Sequence, residues 1–157
     1  MQRAPRLPPQ DGQTYMDLIA VSNEDYADDR TGLYRVIAPA ERRSAWTLQT
    51  IDSTYQAVHK ISVADMNNDG TLDLVVSEGE QAHNRGPDFN QNFNKQRVAV
   101  FYNDGNGKFI PRVVATTGGH NQAVGDVTGN GDLAILSANH GYYGAPTPLE
   151  LWIRRQH

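Results

Sequence analysis

The stretch Asp65-Met66-Asn67-Asn68-Asp69-Gly70-Thr71-Leu72-Asp73-Leu74-Val75-Val76 sets oxygen-bearing side chains at its first, third, fifth and ninth places, with glycine sixth. Oxygen donors spaced this way around a tight turn suit a hard cation such as Ca²⁺, which takes about six to eight oxygens, several of them carboxylates. Gly70 gives the backbone the freedom the bend requires, and Thr71 can add its carbonyl oxygen. Three carboxylates held this close repel one another unless a cation lies between them. An EF-hand would need Glu at the twelfth place, and Val76 stands there, already inside an apolar run. The loop therefore joins two strands, not two helices. The plainer alternative is an acidic, solvated turn that holds no metal.

Outward from this turn the chain reads as short runs rich in β-branched and aromatic residues, punctuated by Gly, Asp, Asn and Pro. Ten such runs are expected as strands, over 17–22, 33–38, 46–51, 58–64, 73–77, 97–102, 109–116, 122–125, 133–137 and 149–153. No segment carries an amphipathic helical period, so the expected fold class is all-β. The runs also recur. His59-Lys60-Ile61-Ser62-Val63-Ala64-Asp65 matches His120-Asn121-Gln122-Ala123-Val124-Gly125-Asp126, and each is followed by an Asn/Asp/Gly turn and a strand, at 73–77 and 134–137. Residues 17–22 give an earlier copy of that strand. A further strand follows in each copy at 33–37, 97–101 and 149–153, and the first two copies add a fourth that opens on Trp46 or Phe109.

Four strands in a period of about sixty residues point to propeller blades. The expected architecture is a partial β-propeller of about two and a half four-stranded antiparallel blades, with repeat units at about 11–52, 57–117 and 120–156. Residues 1–10 are expected to form a Pro-rich, poorly structured leader. The first unit lacks its innermost strand and the third its outermost. Remaining blades of a longer chain, or self-association, are expected to cover the open edges.

The pattern Asp65-x-Asn67-x-Asp69-Gly70-x-x-Asp73-Leu74-Val75-Val76 resembles the FG-GAP/VCBS repeat of integrin α-subunit heads and secreted bacterial propellers. The hairpin Asn103-Asp104-Gly105-Asn106-Gly107-Lys108-Phe109 is similar to that family's link between its last two strands. The resemblance extends from Asp11 onward. It implies that Asp65, Asn67, Asp69, Thr71 (through its carbonyl) and Asp73 ligate Ca²⁺, and it implies a secreted, periplasmic or cell-surface setting. The third unit departs from the pattern. Asp126, Thr128, Asn130, Asp132 (through its carbonyl) and Ala134 leave one side-chain carboxylate at a ligand place, so this second loop is the weaker candidate and a metal-free turn is expected there. In the first unit only Asp11-Gly12 and Asp17 survive, out of register, and no site is assigned.

Composition narrows the partners. The formal net charge of −4 argues against a nucleic-acid binder, which presents a basic face. There is no Cys, which removes disulfide and thiolate chemistry. No apolar run approaches the roughly 20 residues of a membrane span, so no membrane insertion is expected. Residues 1–10 lack the apolar core of a signal peptide; a secreted parent would carry one upstream.

Strand order places the start of each unit's first strand, and the loops after its second strand, at the end opposite the Asp-rich turn. In propeller blades the first strand lines the channel, which sets His59 and His120 near its mouth. The neighbouring loops hold Glu24, Asp25, Asp28 and Asp29, then Glu78, Glu80, His83, Arg85, Asp88, Phe89 and Phe93, then His140, Tyr142 and Tyr143. Carboxylates, imidazoles and rings on one rim suit a carbohydrate or protein ligand, with His59, His83, His120, His140 and Tyr142 as candidate contacts. On the plainer view the two recurring histidines serve the repeat framework. Three classes stay open: a binding module, which is favoured; a fragment of a sugar-acting propeller enzyme (polysaccharide lyase or sugar dehydratase) with histidine as its base; and purely structural blades. No nucleophile elbow, P-loop or zinc helix is present, and no catalytic residue is assigned.

Overall fold

The computed structural model describes residues 6–7, 17–21, 32–41, 43–79, 96–117, 119–138 and 149–154. Within them eleven strands form three antiparallel sheets, and no helix occurs. The first sheet runs β1 (Arg6–Leu7), β2 (Asp17–Val21), β3 (Leu33–Ile37), β4 (Thr47–Asp52). The second runs β5 (Val58–Ala64), β6 (Asp73–Glu78), β7 (Val98–Asn103), β8 (Phe109–Ala115), and the third β9 (Asn121–Gly125), β10 (Ala134–Ala138), β11 (Leu149–Ile153). Each sheet is a meander in which strands adjacent in sequence pair. The fold is all-β, and each of the ten expected runs overlaps a strand, with bounds that differ by at most a residue or two. Among the described residues the sheets close neither into a barrel nor into a ring.

The eleventh strand corrects one expectation. The first unit is expected to lack its innermost strand, yet Arg6–Leu7 pairs antiparallel with β2, Arg6 opposite Leu18 and Leu7 opposite Asp17; residues 1–5 and 8–10 of the expected leader lie outside the described residues. The physical reason lies in the prolines. Pro5 and Pro8 flank this pair, and a residue before proline is driven toward extended backbone. Proline-rich sequence is poor in ladder donors, so the strand is short and sits at a sheet edge.

The three sheets stack face to face, with the second in the middle. Alternation sends Leu74, Val76, Ala99 and Phe101 to one face of it and Val75, Val98 and Val100 to the other. The first group forms a core with Ile19 and Leu33 of the first sheet. The second group forms a core with Met66 and with Ile135 of the third sheet, backed by Val124 and Trp152. Strand β6 is consequently buried along its whole length. That double burial explains its unbroken apolar run, since a strand covered on both faces has no solvent side to make polar. Strands β5 and β9 lie in contact, and Gln122 Nε2–H of β9 donates to the Val75 carbonyl at 2.8 Å. A groove of about 940 Å³ opens instead between β8 and β11.

Phe101 is fully buried and meets Tyr55 edge to face, ring centroids 5.1 Å apart. Phe101→Ala is expected to cost about 3–5 kcal/mol in urea denaturation. Ile110→Ala, at an exposed β8 position, is expected to stay within about 0.5 kcal/mol. Equal costs at the two positions would contradict the stacked arrangement.

Candidate functional site

The turn after β5 is built from its own carboxylates. Asp69 N–H donates to Asp65 Oδ1 at 3.1 Å and to Asn67 Oδ1 at 3.2 Å, so those two side-chain oxygens point at one spot. Gly70 N–H donates to Asp65 Oδ2 at 2.8 Å. Asp69 in turn accepts from Asn67 Nδ2 and from the Thr71 N–H, both at 2.7 Å, and from the Thr71 hydroxyl. Asn68 (φ 61°) and Gly70 (φ 88°) take the left-handed backbone that closes the bend. The side-chain and backbone hydrogen bonds from Thr71, with that from Asn67, hold the Asp69 carboxyl below the usual carboxylate range.

Asp73 sits differently. It is fully buried at the start of β6 and accepts Met66 N–H at 2.8 Å and Asn103 N–H at 2.9 Å. Burial pushes its carboxyl up against those two bonds, and the charges of Asp69 and Asp65 push the same way. Among the described residues no group of three or more His, Asp or Glu side chains is gathered closely enough to hold a metal ion by itself. A cation at this turn would therefore draw on the Asn67 amide and the Thr71 carbonyl as well.

The matching turn of the third sheet folds the same way around Asp126. Its carboxylate accepts N–H groups from Thr128, Gly129 and Gly131 at 3.0, 2.7 and 2.8 Å, and the Gly131 bond leads in holding its carboxyl low. Thr128 Oγ1–H donates to Asn130 Oδ1 at 2.7 Å. The Asp132 side chain accepts Asn130 Nδ2 at 3.1 Å and Asn68 Nδ2 at 3.5 Å, tying the two turns together. The groove between β8 and β11 runs beside both turns, with Tyr102, Arg112, Trp152 and Arg154 among its walls. Sequence reading missed it, because it arises between strands far apart in the chain.

At the other end of β5 the structure brings His59 and His120 together, ring centroids 3.8 Å apart and planes inclined by 44°. His59 is the extra residue of a register shift between Val58 and Lys60, and such bulges re-aim a side chain. Ala57, two residues earlier, takes φ 42°. A Cβ on Gly79 would lie 2.4 Å from His59 Cδ2, so the ring rests on bare backbone there. His83, His140 and Tyr142 lie outside the described residues, as do Tyr143 and the loop groups from Glu24 to Asp29 and from Glu80 to Phe93.

Glu78, read from sequence as a rim residue, is instead the fully buried last residue of β6. Arg97 donates to it from Nε to Oε2 at 3.0 Å and from Nη2 to Oε1 at 2.8 Å. Glu78 also accepts Gln56 N–H and Arg97 N–H, each at 2.8 Å. Burial works against the Arg97 charge, but the hydrogen bonds and charge of Glu78 hold it above its usual pKa. The guanidinium lies 3.7 Å from the centre of the Tyr55 ring and donates to the Thr54 carbonyl at 2.6 Å. Burial pushes the Tyr55 hydroxyl up to about 12, with Arg97 opposing and Glu78 and Asp52 adding to the rise. The cluster ties the ends of β6 and β7 to the segment before β5.

Comparison of the chain with family models, with curated proteins and with solved structures finds no match. Function is therefore argued from the residues alone.

Glu78→Ala removes the counter-charge of the half-buried Arg97 guanidinium, which keeps only Thr54 as acceptor, and leaves two backbone N–H groups without theirs. It is expected to cost about 3–5 kcal/mol by urea denaturation. Tyr55→Phe deletes a buried hydroxyl with no hydrogen-bond partner among the described residues and is expected to leave stability unchanged or raise it. A mild Glu78→Ala alongside a costly Tyr55→Phe would reverse the assignment.

Proposed function

We propose that the three sheets are blades of a partial FG-GAP/VCBS-type propeller. In this reading the 65–73 turn takes Ca²⁺ as a staple and the histidine end meets a carbohydrate or protein ligand. One observation carries the calcium half. Strand β6 is buried end to end and has a buried carboxylate at each end. Glu78 at one end is neutralised by Arg97. Asp73 at the other has Asp69 and Asp65 as its charged neighbours, and both raise the cost of its ionisation.

A hard cation is the counter-charge this end calls for. Asp65, Asn67 and Asp69 would offer side-chain oxygens, Thr71 its carbonyl, and Asp73 the buried charge behind them. Bound there, the cation would neutralise the turn and fix β5 to β6. The Asp126 turn has a single carboxylate at a ligand place and is satisfied by its own N–H groups, which supports the metal-free expectation for it. The binding half is supported by the juxtaposition of His59 and His120 at the opposite strand end. A secreted or cell-surface setting belongs to the same proposal; what the described residues show is that no helix is long and apolar enough to cross a membrane.

Calcium at a hundredfold excess over its Kd is expected to stabilise the fold by about 2.7 kcal/mol. Chelator should abolish the shift, and Asp69→Ala should remove sensitivity to both. The sign of the pH dependence follows from Asp73. Its folded pKa is raised, so without metal its ionisation costs stability that is recovered as pH falls through that raised value. The calcium-induced rise in Tm should accordingly be larger at pH 7 than in mild acid. Superimposable melting curves with calcium and with chelator would sink the calcium half. For the ligand half, glycan-array binding that survives both His59→Ala and His120→Ala would remove the histidine end from the site.

A further inference from the structure

The junction between the second and third sheets has a counterpart, uncovered, on the far side of the third. The registers match. Val63, Leu74 and Phe101 pair across the second sheet as Val124, Ile135 and Trp152 pair across the third. Counting from those rows, Val75, Val98, Val100 and Tyr102 correspond to Leu136, Leu149, Leu151 and Ile153. Met66 corresponds to Val127, each following the first Asp of its turn. In the second sheet this set packs against Ile135, Val124 and Trp152 of the third, and Met66, Val75, Val98 and Val100 are 6, 0, 0 and 2% exposed. In the third sheet Val127, Leu136, Leu149, Leu151 and Ile153 are 55, 41, 72, 47 and 49% exposed. Among the described residues, five apolar side chains at positions otherwise covered by a following sheet form an unpartnered face, not scattered surface residues.

The complementary half lies at the other end of the stack. The face that each sheet turns toward its predecessor is set by the Leu74–Phe101 row in the second and the Ile135–Trp152 row in the third. The same register place in the first sheet is the Leu18–Val36 pair, extended to Leu48 on β4. No sheet precedes it among the described residues, and Leu48 is 63% exposed. The chain thus carries both halves of a junction that it makes twice within itself.

We propose that a second copy of this chain docks head to tail. The outer face of the third sheet of one copy would cover the outer face of the first sheet of the other, and the reverse. A junction between unlike faces closes a ring when its rotation allows. The three sheets of the described residues, from each of two copies, make six, inside the range of about 4–8 blades seen in closed propellers. Face pairing follows from the stacking alone, while closure rests on the blade reading proposed above.

Light scattering on the full chain after size exclusion tests it. The expected species has twice the 17.4 kDa chain mass. Leu151→Asp and Leu48→Asp, at opposite faces, should each give loss of the two-chain species. Mixing the two variants should restore a two-chain species, because one intact face of each kind remains. Leu149→Asp substitutes for Leu151→Asp should the latter fail to fold by circular dichroism. A monomeric parent chain, an open series of larger masses, or a two-chain species that survives Leu48→Asp overturns the proposal; the last would mark like-face pairing. The calcium-dependent Tm, read on the monomeric variants, reports separately on the turn, so failure of one claim does not mimic failure of the other.

Discussion

Strand β6 has to be covered on both faces and at both ends, and the rest of the molecule is arranged to do so. Leu74, Val75 and Val76 are all inaccessible to water, each worth about 1.5–3 kcal/mol when buried. No single sheet can supply that burial. The first and third sheets each provide half of the cover, and each depends on the second for its own inner face. A sheet of three or four short strands still has an apolar face to cover, and here a neighbouring sheet covers it. Stability in this fold therefore belongs to the junctions more than to any sheet, as in repeat proteins whose neighbours stabilise one another.

The ends of β6 follow the same demand in polar terms. A buried strand brings neighbouring backbone N–H groups into the interior, and these must find acceptors. Glu78 takes Gln56 N–H and Arg97 N–H where β5 and β7 begin. Asp73 takes Met66 N–H and Asn103 N–H where those strands end. One carboxylate at each end thus ties the same three strands together. The difference is in counter-charge: Arg97 neutralises the first, while the charged neighbours of the second are Asp69 and Asp65. The Asp126 carboxylate is likewise held by N–H groups of its own turn. What sets the 65–73 turn apart is the buried charge behind it.

Much of the strand plan was legible because its signals are local. Alternation, the Asn/Asp/Gly turns and the recurrence of His59 to Asp65 at His120 to Asp126 each report on a few adjacent residues. The short strand at Arg6–Leu7 was not legible, because two residues between prolines carry no alternation, and proline biases backbone toward extension without marking a strand. Glu78 was misplaced for a different reason. A charged residue after an apolar run reads as the start of a solvated loop, and only the approach of Arg97, nineteen residues on in sequence, turns it inward. Of the turn, the oxygen spacing was legible but the separate duty of Asp73 was not. Its partners, Met66 N–H and Asn103 N–H, are backbone groups that carry no sequence signal.

The histidine pair marks where consecutive sheets meet. His59 and His120 occupy equivalent places in consecutive sheets, so contact between their rings is also contact between sheets. The backbone is shaped around that contact: the register shift at His59, the left-handed Ala57 and the bare Gly79 beneath the ring all occur within one strand end. Irregular backbone of this kind persists only where surrounding structure enforces it. The ring position is thus fixed by the fold; both residues are half-buried, while His59 Nε2 itself is sealed from water. The ligand reading proposed above would therefore have to use the other ring edges of the pair, whose fixed positions would cost a binding partner little ordering.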